Sequence, residues 1–354
     1  MLFRRRSPEA LGFGLLWVFA WSVAWALLVM ERVLELHEGP PRSALSLLGF
    51  LLIAGSARWA MRALPRSRWR YLPLVVLGVV ALREGRRHVL RRQYTASAPV
   101  RRVGPAQSLS RPVTTTDLAV SYYRLSAHQL TAPRLRIVAL TDLHISPALP
   151  AEYFDHVRTL VAAQDPDLIL LTGDFVSFPK NIELLERLFA RPWSARFATL
   201  AVLGNHDFWT DAKRVRETLS AGGVTLVENG CWHLPSAVGH VAVCGTDAPW
   251  GPELSAALDR SELNVVLSHT PDNVYRLAEQ GASLVFAGHT HGGQIRLPGI
   301  GSIVVPSRNG RMFDEGHFRV DGADLFVSAG VGADDPPLRV YCQPEIFVVD
   351  LSRR

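Results

Sequence analysis

Five short segments carry Asp, Asn and His residues in types and an order that could hold divalent metal ions. Carboxylate, amide and imidazole groups without thiolate suit manganese, iron or zinc. Each segment follows an apolar run that is typical of a buried β-strand. In chain order the segments are Thr141-Asp142-Leu143-His144, Thr172-Gly173-Asp174, Gly204-Asn205-His206-Asp207, Leu267-Ser268-His269-Thr270 and Gly288-His289-Thr290-His291.

The elements that must position these groups are strands and the helices between them. Helical patterns alternate with the strands, which predicts a layered α/β core. Strands in an open α/β sheet present their carboxyl ends at the rim where ligands bind, so the five segments should meet there. The predicted strands cover residues 136–140, 168–171, 198–203, 264–267 and 284–287, and the predicted helices cover 151–164, 181–190, 211–221 and 272–279.

Two of the segments contain pairs of ligands separated by one residue. Side chains two positions apart in extended chain point to the same side. Asp142 with His144, and His289 with His291, would therefore each present two ligands together. We expect the two pairs to converge on one site.

Any one of these segments alone would be weak evidence. A lone Asp or His at a strand end is usually a cap, a turn residue or a structural side chain. Five segments in a strand-to-loop context favour a functional site over that interpretation. Five histidines outside the segments are predicted to be structural or exposed: His128, His156, His233, His240 and His317.

The order D-x-H, GD, GNHD, a single His after a strand and GHTH resembles the signature of the calcineurin-like metallophosphoesterases. The resemblance covers roughly residues 117–351. Residues 288–310 and the tail from Pro337 to Ile346 are similar to the YkuE/YaeI-like membrane-associated subgroup. The resemblance implies an α/β fold in four layers, a β-sandwich flanked by helices.

The resemblance also implies roles for single residues. His206 would serve as general acid or would clamp the phosphate. Asp174 would bridge two metal ions, with manganese the expected metal and iron or zinc the alternatives. One ion would be held by Asp142, His144, Asp174 and His291, and the other by Asp174, Asn205, His269 and His289.

This composition favours phosphoester hydrolysis. Two cations that share a bridging hydroxide can clamp the attacking and non-bridging oxygens, so no protein nucleophile is needed. His206 could protonate the leaving group. Asp207 could orient His206, or it could be a turn residue; the sequence leaves both open.

Charge divides the chain. Residues 1–110 contain 17 Lys and Arg against 5 Asp and Glu, whereas residues 111–354 contain 21 against 27. A nucleic-acid groove would need its positive charge on the catalytic region, so this balance argues against a nuclease.

The three cysteines, Cys231, Cys244 and Cys342, show no metal or disulfide spacing, and Cys244 is expected to be a buried thiol.

The basic N-terminal region contains long apolar runs. Residues 11–30 are uncharged and long enough to span a bilayer, and the run at 44–57 is a second candidate span. Residues 71–82 could form a third short span, a re-entrant segment or an interfacial helix. We therefore predict a transmembrane anchor at 1–94 with two or three helices, a linker at 95–116 and a catalytic domain at 117–354.

Arginine placement predicts the topology of this anchor. A hairpin of two spans leaves most arginines on one side, which favours a multi-pass inner-membrane protein with a cytoplasmic catalytic domain. The alternative is export, since Arg4-Arg5-Arg6 also suits a twin-arginine signal. In the cytoplasmic topology the basic flank would contact anionic membrane lipids, or it would be a simple stop-transfer flank.

The substrate follows from this placement. A hydrolase beside a bilayer would meet lipid-linked phosphates, and the resemblance suggests UDP-2,3-diacylglucosamine of lipid A synthesis. An exported cell-wall or phospholipid phosphodiesterase is the alternative within enzymes. A non-catalytic metal-binding scaffold is the alternative of another class, and the presence of Asn205 and His206 argues against it.

Overall fold

A computed structural model of the chain describes residues 8–25, 52–53, 56, 71–246, 251, 254 and 257–354. The chain divides into two compact units, residues 1–93 with 303–312 and residues 94–302 with 313–354. The predicted linker at 95–116 and catalytic domain at 117–354 stay predictions.

The first unit contains two long helices, α1 (Pro8–Ala24) and α2 (Leu72–Tyr94). The indole nitrogen of Trp17 in α1 donates a hydrogen bond to the Ser56 hydroxyl at 3.0 Å. In α2, Arg87 pairs with Glu84 at 3.0 Å, and Glu84 also pairs with the fully buried guanidinium of Arg311. This unit therefore encloses an ion pair network.

The prediction of an N-terminal transmembrane module is wrong for the helices that the structure describes. None of them is both long enough and apolar enough to cross a bilayer. Helix α1 has 17 residues, which at about 1.5 Å per residue is shorter than a hydrocarbon core of about 30 Å. Helix α2 carries six charged residues in its second half.

This finding also overturns the multi-pass membrane location that was inferred from those spans. Most of the second predicted span, at 44–57, and the end of the first lie outside the described residues.

The second unit is built on two sheets and the helices that cover them. The larger sheet has seven strands, in the spatial order β1 (Arg101–Val103), β2 (Ala119–Ala127), β15 (Glu345–Arg353), β3 (Arg134–Leu140), β4 (Leu168–Leu171), β5 (Ala198–Ala201) and β6 (Thr225–Leu226). The smaller has six, in the order β13 (Gly316–Val320), β14 (Ala323–Val327), β10 (Leu284–Ala287), β9 (Leu263–Leu267), β8 (Val241–Gly245) and β7 (Gly230–His233). A separate hairpin pairs β11 (Arg296–Leu297) with β12 (Gly301–Ser302).

Parallel pairing gives both sheets a common functional edge. Strands β3, β4 and β5 are parallel to one another, and so are β8, β9 and β10. Their runs of Leu, Ile and Val are buried on both faces, as parallel strands in layered folds require. The segments that follow these strands therefore leave the sheets together.

Two apolar cores hold the layers together. The core between the sheets joins Leu170 and Leu200 of one sheet to Val265 and Phe286 of the other. The second core packs helices on the outer face of the larger sheet. The helices of this unit are α3 (Ala151–Ala162), α4 (Ile182–Phe189), α5 (Asn205–Thr210), α6 (Ala212–Ala221) and α7 (Val274–Gln280), with 3₁₀ turns at Pro179–Asn181, Pro271–Asn273, His291–Gly293 and Gly310–Phe313.

The predicted α/β sandwich flanked by helices fits this architecture.

The expectation that Cys244 is a free thiol is wrong, because Cys231 and Cys244 form a disulfide with a Cα–Cα distance of 4.0 Å. The two residues lie directly opposite each other on antiparallel β7 and β8. Their separation of 13 residues gives no sign of this register. Cys342 is a buried free thiol.

Candidate metal centre

The predicted ligands lie just beyond the carboxyl ends of five strands. Asp142 and Asp174 follow β3 and β4, and Asn205 follows β5. His269 and His289 follow β9 and β10 in the other sheet. The two sheets thus contribute to one cluster of buried polar side chains.

One group of four ligands surrounds a small volume. Candidate ligand atoms of Asp142, His144, Asp174 and His291 all lie within 4.8 Å of one another. The Nε2 atoms of His144 and His291 are 3.0 Å apart. His291 Nε2 lies 3.4 Å from Asp142 Oδ1, and His144 Nε2 lies 3.5 Å from Asp174 Oδ2.

A second group shares Asp174 with the first. Ligand atoms of Asp174, His269 and His289 also lie within 4.8 Å of one another. His269 Nε2 is 3.2 Å from Asp174 Oδ2 and 3.0 Å from Asn205 Oδ1. The same oxygen of Asp174 therefore faces both groups.

These donors fit divalent cations. Metal–ligand bonds of about 2.0–2.2 Å bring ligands on one ion within about 4.4 Å of each other, close to the separations here. Asp142 and Asp174 are both buried, and a buried carboxylate needs compensating positive charge. All donors are carboxylate, amide or imidazole atoms, a set that suits manganese, iron or zinc.

The backbone at the ligands differs from the extended pairs that the spacing suggested. Asp142 and His144 have φ of 51° and 39°, and His289 and His291 have φ of 66° and 53°. Asp174 is also in the left-handed region, with φ of 55°. Each such residue costs about 1–3 kcal/mol and is typical of functional sites. The pairs converge through tight turns and not through a pleated strand.

Electrostatics divides the histidines into two kinds. Burial lowers the pKa of His144 to about 4 and holds that of His291 well below its usual value. Burial would also lower the pKa of His269, but the adjacent Asp174 carboxylate outweighs it and raises this pKa to about 9. In the protein without metal, His269 is thus the protonated histidine of the cluster at neutral pH.

The carboxylates respond to the same surroundings. Burial, helped by the charge of Asp174, raises the pKa of Asp142 to about 7. Burial opposes ionisation of Asp174 too, but His269 and His206 outweigh it and hold its pKa well below the usual range. Asp174 is therefore the permanent anion of the centre.

Hydrogen bonds from outside the ligand set orient the imidazoles. His269 Nδ1 donates to the Thr172 carbonyl at 2.7 Å, which directs Nε2 to the centre. His144 Nδ1 lies 2.5 Å from the Ser177 hydroxyl. The main-chain nitrogen of His289 donates to both oxygens of Asp142, at 3.1 and 3.0 Å.

His206 lies at the edge of the centre and is partly exposed. Its ring contacts that of His144 at 4.8 Å between centroids, and its main-chain nitrogen donates to Asp174 Oδ1 at 2.9 Å. Its Nε2 lies 3.8 Å from Asp334 Oδ2. Sequence reasoning missed Asp334; the available signal was the Asp334-Asp335 pair in the polar loop after the apolar strand β14.

Asp207 is placed as a turn residue. Its Oδ1 accepts hydrogen bonds from the main-chain nitrogens of Phe175 and Val176, and its Oδ2 accepts one from Gly204. The bond from Gly204 caps the first turn of α5, and the bonds from Phe175 and Val176 fix the loop after β4. Of the two roles that the sequence left open, the turn role describes its contacts.

The five histidines that were predicted to be structural or exposed stand apart from these groups. His317 bonds Ser97 and Asp324 at 2.8 and 2.9 Å, and His233 lies 3.5 Å from Glu262. His128, His156 and His240 are exposed.

Comparison with known proteins gives a family and several relatives. The profile of the calcineurin-like phosphoesterases matches residues 135–293. The chain is 31% identical over 226 residues to the uncharacterized metallophosphoesterase YkuE of Bacillus subtilis, covering 61% of this chain and 79% of that protein. It is 30% identical over 243 residues to the phosphodiesterase YaeI of Escherichia coli, covering 65% and 86%.

A more distant relative carries a specific activity in its name. It is the UDP-2,3-diacylglucosamine pyrophosphatase LpxG of Chlamydia trachomatis, 26% identical over 216 residues. The alignment covers 46% of this chain and 65% of that protein.

Proposed function

We propose that this chain, which belongs to the calcineurin-like metallophosphoesterases of the YkuE/YaeI-like group, cleaves a phosphodiester or pyrophosphate at a dinuclear centre. Membership of this family makes the chain a metal-dependent phosphoester hydrolase. The observation that carries this proposal is the shared Asp174 oxygen, 3.5 Å from His144 Nε2 and 3.2 Å from His269 Nε2. A carboxylate between two sets of ligands is the arrangement that a pair of cations needs.

The proposed ligand sets follow the two groups. Bound cations would supply the positive charge that polarises a phosphoryl group and lowers the pKa of water. Manganese is the proposed metal because oxygen and imidazole donors suit it. One ion would be held by Asp142, His144, Asp174 and His291, and the other by Asp174, Asn205, His269 and His289.

His206 is the proposed proton donor to the leaving group. Its main chain is anchored to Asp174, which fixes the ring at the edge of the centre. Asp334, 3.8 Å away, would stabilise the protonated imidazole and orient it. Because His206 keeps partial exposure, its ring can reach a substrate oxygen.

The proposed natural substrate is a lipid-linked phosphate such as UDP-2,3-diacylglucosamine. Support comes from the activity named for the relative LpxG. The name of YaeI supports a broader phosphodiesterase activity, so a phospholipid or cell-wall diester is the second candidate.

The test is metal analysis and hydrolysis with Asp174→Asn. The wild type, loaded with Mn²⁺, should bind two equivalents and hydrolyse bis-4-nitrophenyl phosphate. The variant should lose most of the metal and the activity together, since both ions depend on this charge. Asp324→Asn, which removes a carboxylate bonded to His317 outside the centre, is the matched control and should keep both. Two equivalents retained by Asp174→Asn would sink the dinuclear assignment.

A further inference from the structure

A set of large apolar side chains on the second unit is exposed although most such residues there are buried. Phe178, Trp209, Ile295, Leu297, Ile300 and Leu338 keep 40–43% of their surface exposed. We call these six the apolar collar. The same unit also exposes large apolar side chains on the segment that precedes residue 114, namely Val100, Val103, Leu109 and Val113. Among the described residues from 114 onward, one further large apolar side chain is comparably exposed, Phe208, and its ring lies under the Arg216 guanidinium.

Every member of the apolar collar lies on a segment that carries a residue of the metal centre or a residue bonded to one of its ligands. Phe178 follows Ser177, which bonds His144. The Trp209 ring packs on the ring of His206, with centroids 4.9 Å apart. The Thr210 hydroxyl donates to the Val176 carbonyl at 3.4 Å, so the segments of Phe178 and Trp209 are adjacent.

The other side of the apolar collar is tied to Asp334, which faces His206. The Gln294 side chain accepts a hydrogen bond from the Asp334 main-chain nitrogen at 2.6 Å and donates to its carbonyl at 3.4 Å. Gln294 leads directly into the segment that bears Ile295, Leu297 and Ile300.

Leu338 completes this side. It precedes Arg339, whose guanidinium donates to the His291 carbonyl at 3.1 Å. Ile295 and Val340 form a β-bridge, so the two segments run side by side.

Scattered exposed apolar residues are normal on protein surfaces and need no explanation. Six that are confined to the loops of one polar centre differ from that pattern, because apolar residues gathered on functional loops mark a binding surface. An occupant must leave the centre open to a phosphate. A protein docked across these loops would cover it, whereas the apolar part of the substrate itself would not.

We propose that the apolar collar binds the alkyl or acyl portion of the substrate, so that the enzyme prefers amphiphilic phosphodiesters over polar ones. This inference rests on the proposed phosphoesterase function and adds the residues that would select the substrate class. Removing an apolar methylene from water contributes about 0.8 kcal/mol, equivalent to about fourfold in binding. An alkyl chain that reaches the apolar collar should therefore raise kcat/KM steeply.

The test uses methyl, butyl and octyl 4-nitrophenyl phosphodiesters, each below its aggregation concentration, with the Mn²⁺-loaded full-length protein. The octyl ester should have a kcat/KM at least about tenfold above that of the methyl ester, which requires burial of only two or three methylenes. The readout is this octyl-to-methyl ratio. This ratio isolates recognition of the alkyl group from the chemistry of the 4-nitrophenolate leaving group, which all three esters share.

Two collar variants and one control complete the design. Leu297→Ser with Ile300→Ser, and separately Phe178→Ser, should lower the octyl-to-methyl ratio by at least about threefold. Val100→Ser with Val103→Ser is the matched control, because these exposed valines lie at β1, on the far edge of the larger sheet, and it should leave the ratio unchanged. Thermal unfolding checks that each variant is folded.

A wild-type ratio near one, or the wild-type ratio in both folded collar variants, would overturn the inference while leaving the phosphoesterase intact. Failure of the Mn²⁺-loaded wild type to hydrolyse any of the esters would overturn the proposed function and this inference with it.

Discussion

The guanidinium of Arg339 donates a hydrogen bond to the main-chain carbonyl of His291, 3.1 Å away, although its side chain is fully buried. It also donates to the carbonyls of Gly332 and Ala329, at 2.7 and 2.6 Å. The loop that contains these two residues packs under Asp142, because a Cβ on Gly330 would lie 2.8 Å from the Asp142 Cβ. Arg339 thus links the backbone of one predicted ligand to the support of another.

Arg339→Met should therefore weaken the metal centre from a distance. The change removes a donor from the buried carbonyls of Gly332 and Ala329, at about 1–3 kcal/mol for each group left unsatisfied, whereas the His291 carbonyl keeps the main-chain nitrogen of Gln294 as a donor. Loss of an outer partner typically lowers metal affinity by about 10–100-fold. Competition titration with a chelator measures the affinity, and chemical denaturation measures the free energy of unfolding.

Arg191→Met serves as the control for that prediction, because this side chain is exposed and makes a long ion pair, 3.9 Å, with Asp155. It should change neither the metal affinity nor the free energy of unfolding measurably. Wild-type metal affinity in a folded Arg339→Met protein would contradict the positioning role.

The types, order and strand context of the five ligand segments were predictable from sequence, because a strand end followed by Asp, Asn or His is a local pattern. The helices at 151–164 and 211–221 were also predictable, to within two residues, since their apolar spacing is local. What sequence did not give was the backbone at Asp142 and His144, because a left-handed turn leaves no mark in residue type unless glycine occupies it.

Contacts between residues that lie far apart in the sequence could not be predicted from it either. Asp334 lies 128 positions after His206 in the sequence, and Arg339 reaches His291 from a different loop. The Cys231–Cys244 bond depends on the register of β7 against β8, which hydropathy does not encode. The prediction of a span at 71–82 failed for a related reason, because the helix there continues into a charged segment that the apolar window does not reveal.

Asp207 should matter for stability more than for chemistry. Its carboxylate satisfies three main-chain donors in the buried interior, so Asp207→Ala should lower the free energy of unfolding by about 2–4 kcal/mol. Denaturant titration measures this loss. Turnover per bound metal pair on 4-nitrophenyl esters should remain within about tenfold of the wild type for protein that is folded. A stable variant with abolished turnover would instead support the orienting role for His206.

Metal affinity should depend on pH in a direction set by His269. Its pKa of about 9 means that at neutral pH a cation must displace a proton from this ring. Affinity should rise about tenfold per pH unit from 7 towards 9 and then flatten, since above 9 the proton has already left. Below pH 7 the slope should steepen, because Asp142, with a pKa of about 7, is then protonated as well.

Chelator competition on metal-free protein between pH 6 and 9.5 measures that profile, in steps of about half a unit. Calorimetry in two buffers of different ionisation enthalpy counts the protons released. His144 should contribute nothing in this range because its pKa is about 4. Affinity that is flat from pH 7 to 9 would show that His269 does not carry a proton there.

His206→Asn should separate metal binding from proton transfer. Both metals should be retained, because His206 belongs to neither of the two proposed ligand sets, and its main-chain bond to Asp174 does not depend on the side chain. Loss of a general acid lowers the rate by about 10²–10⁴-fold when the leaving group is a poor one, and by far less for 4-nitrophenolate, which departs without a proton.

A matched variant, Asp334→Asn, keeps the imidazole but removes the carboxylate 3.8 Å from it. It should show the same larger loss on poor leaving groups, but the loss should be smaller than in His206→Asn. The measurement is kcat on 4-nitrophenyl and alkyl esters of one phosphodiester series. An equal loss on both would mean that His206 positions the phosphate and does not donate the proton.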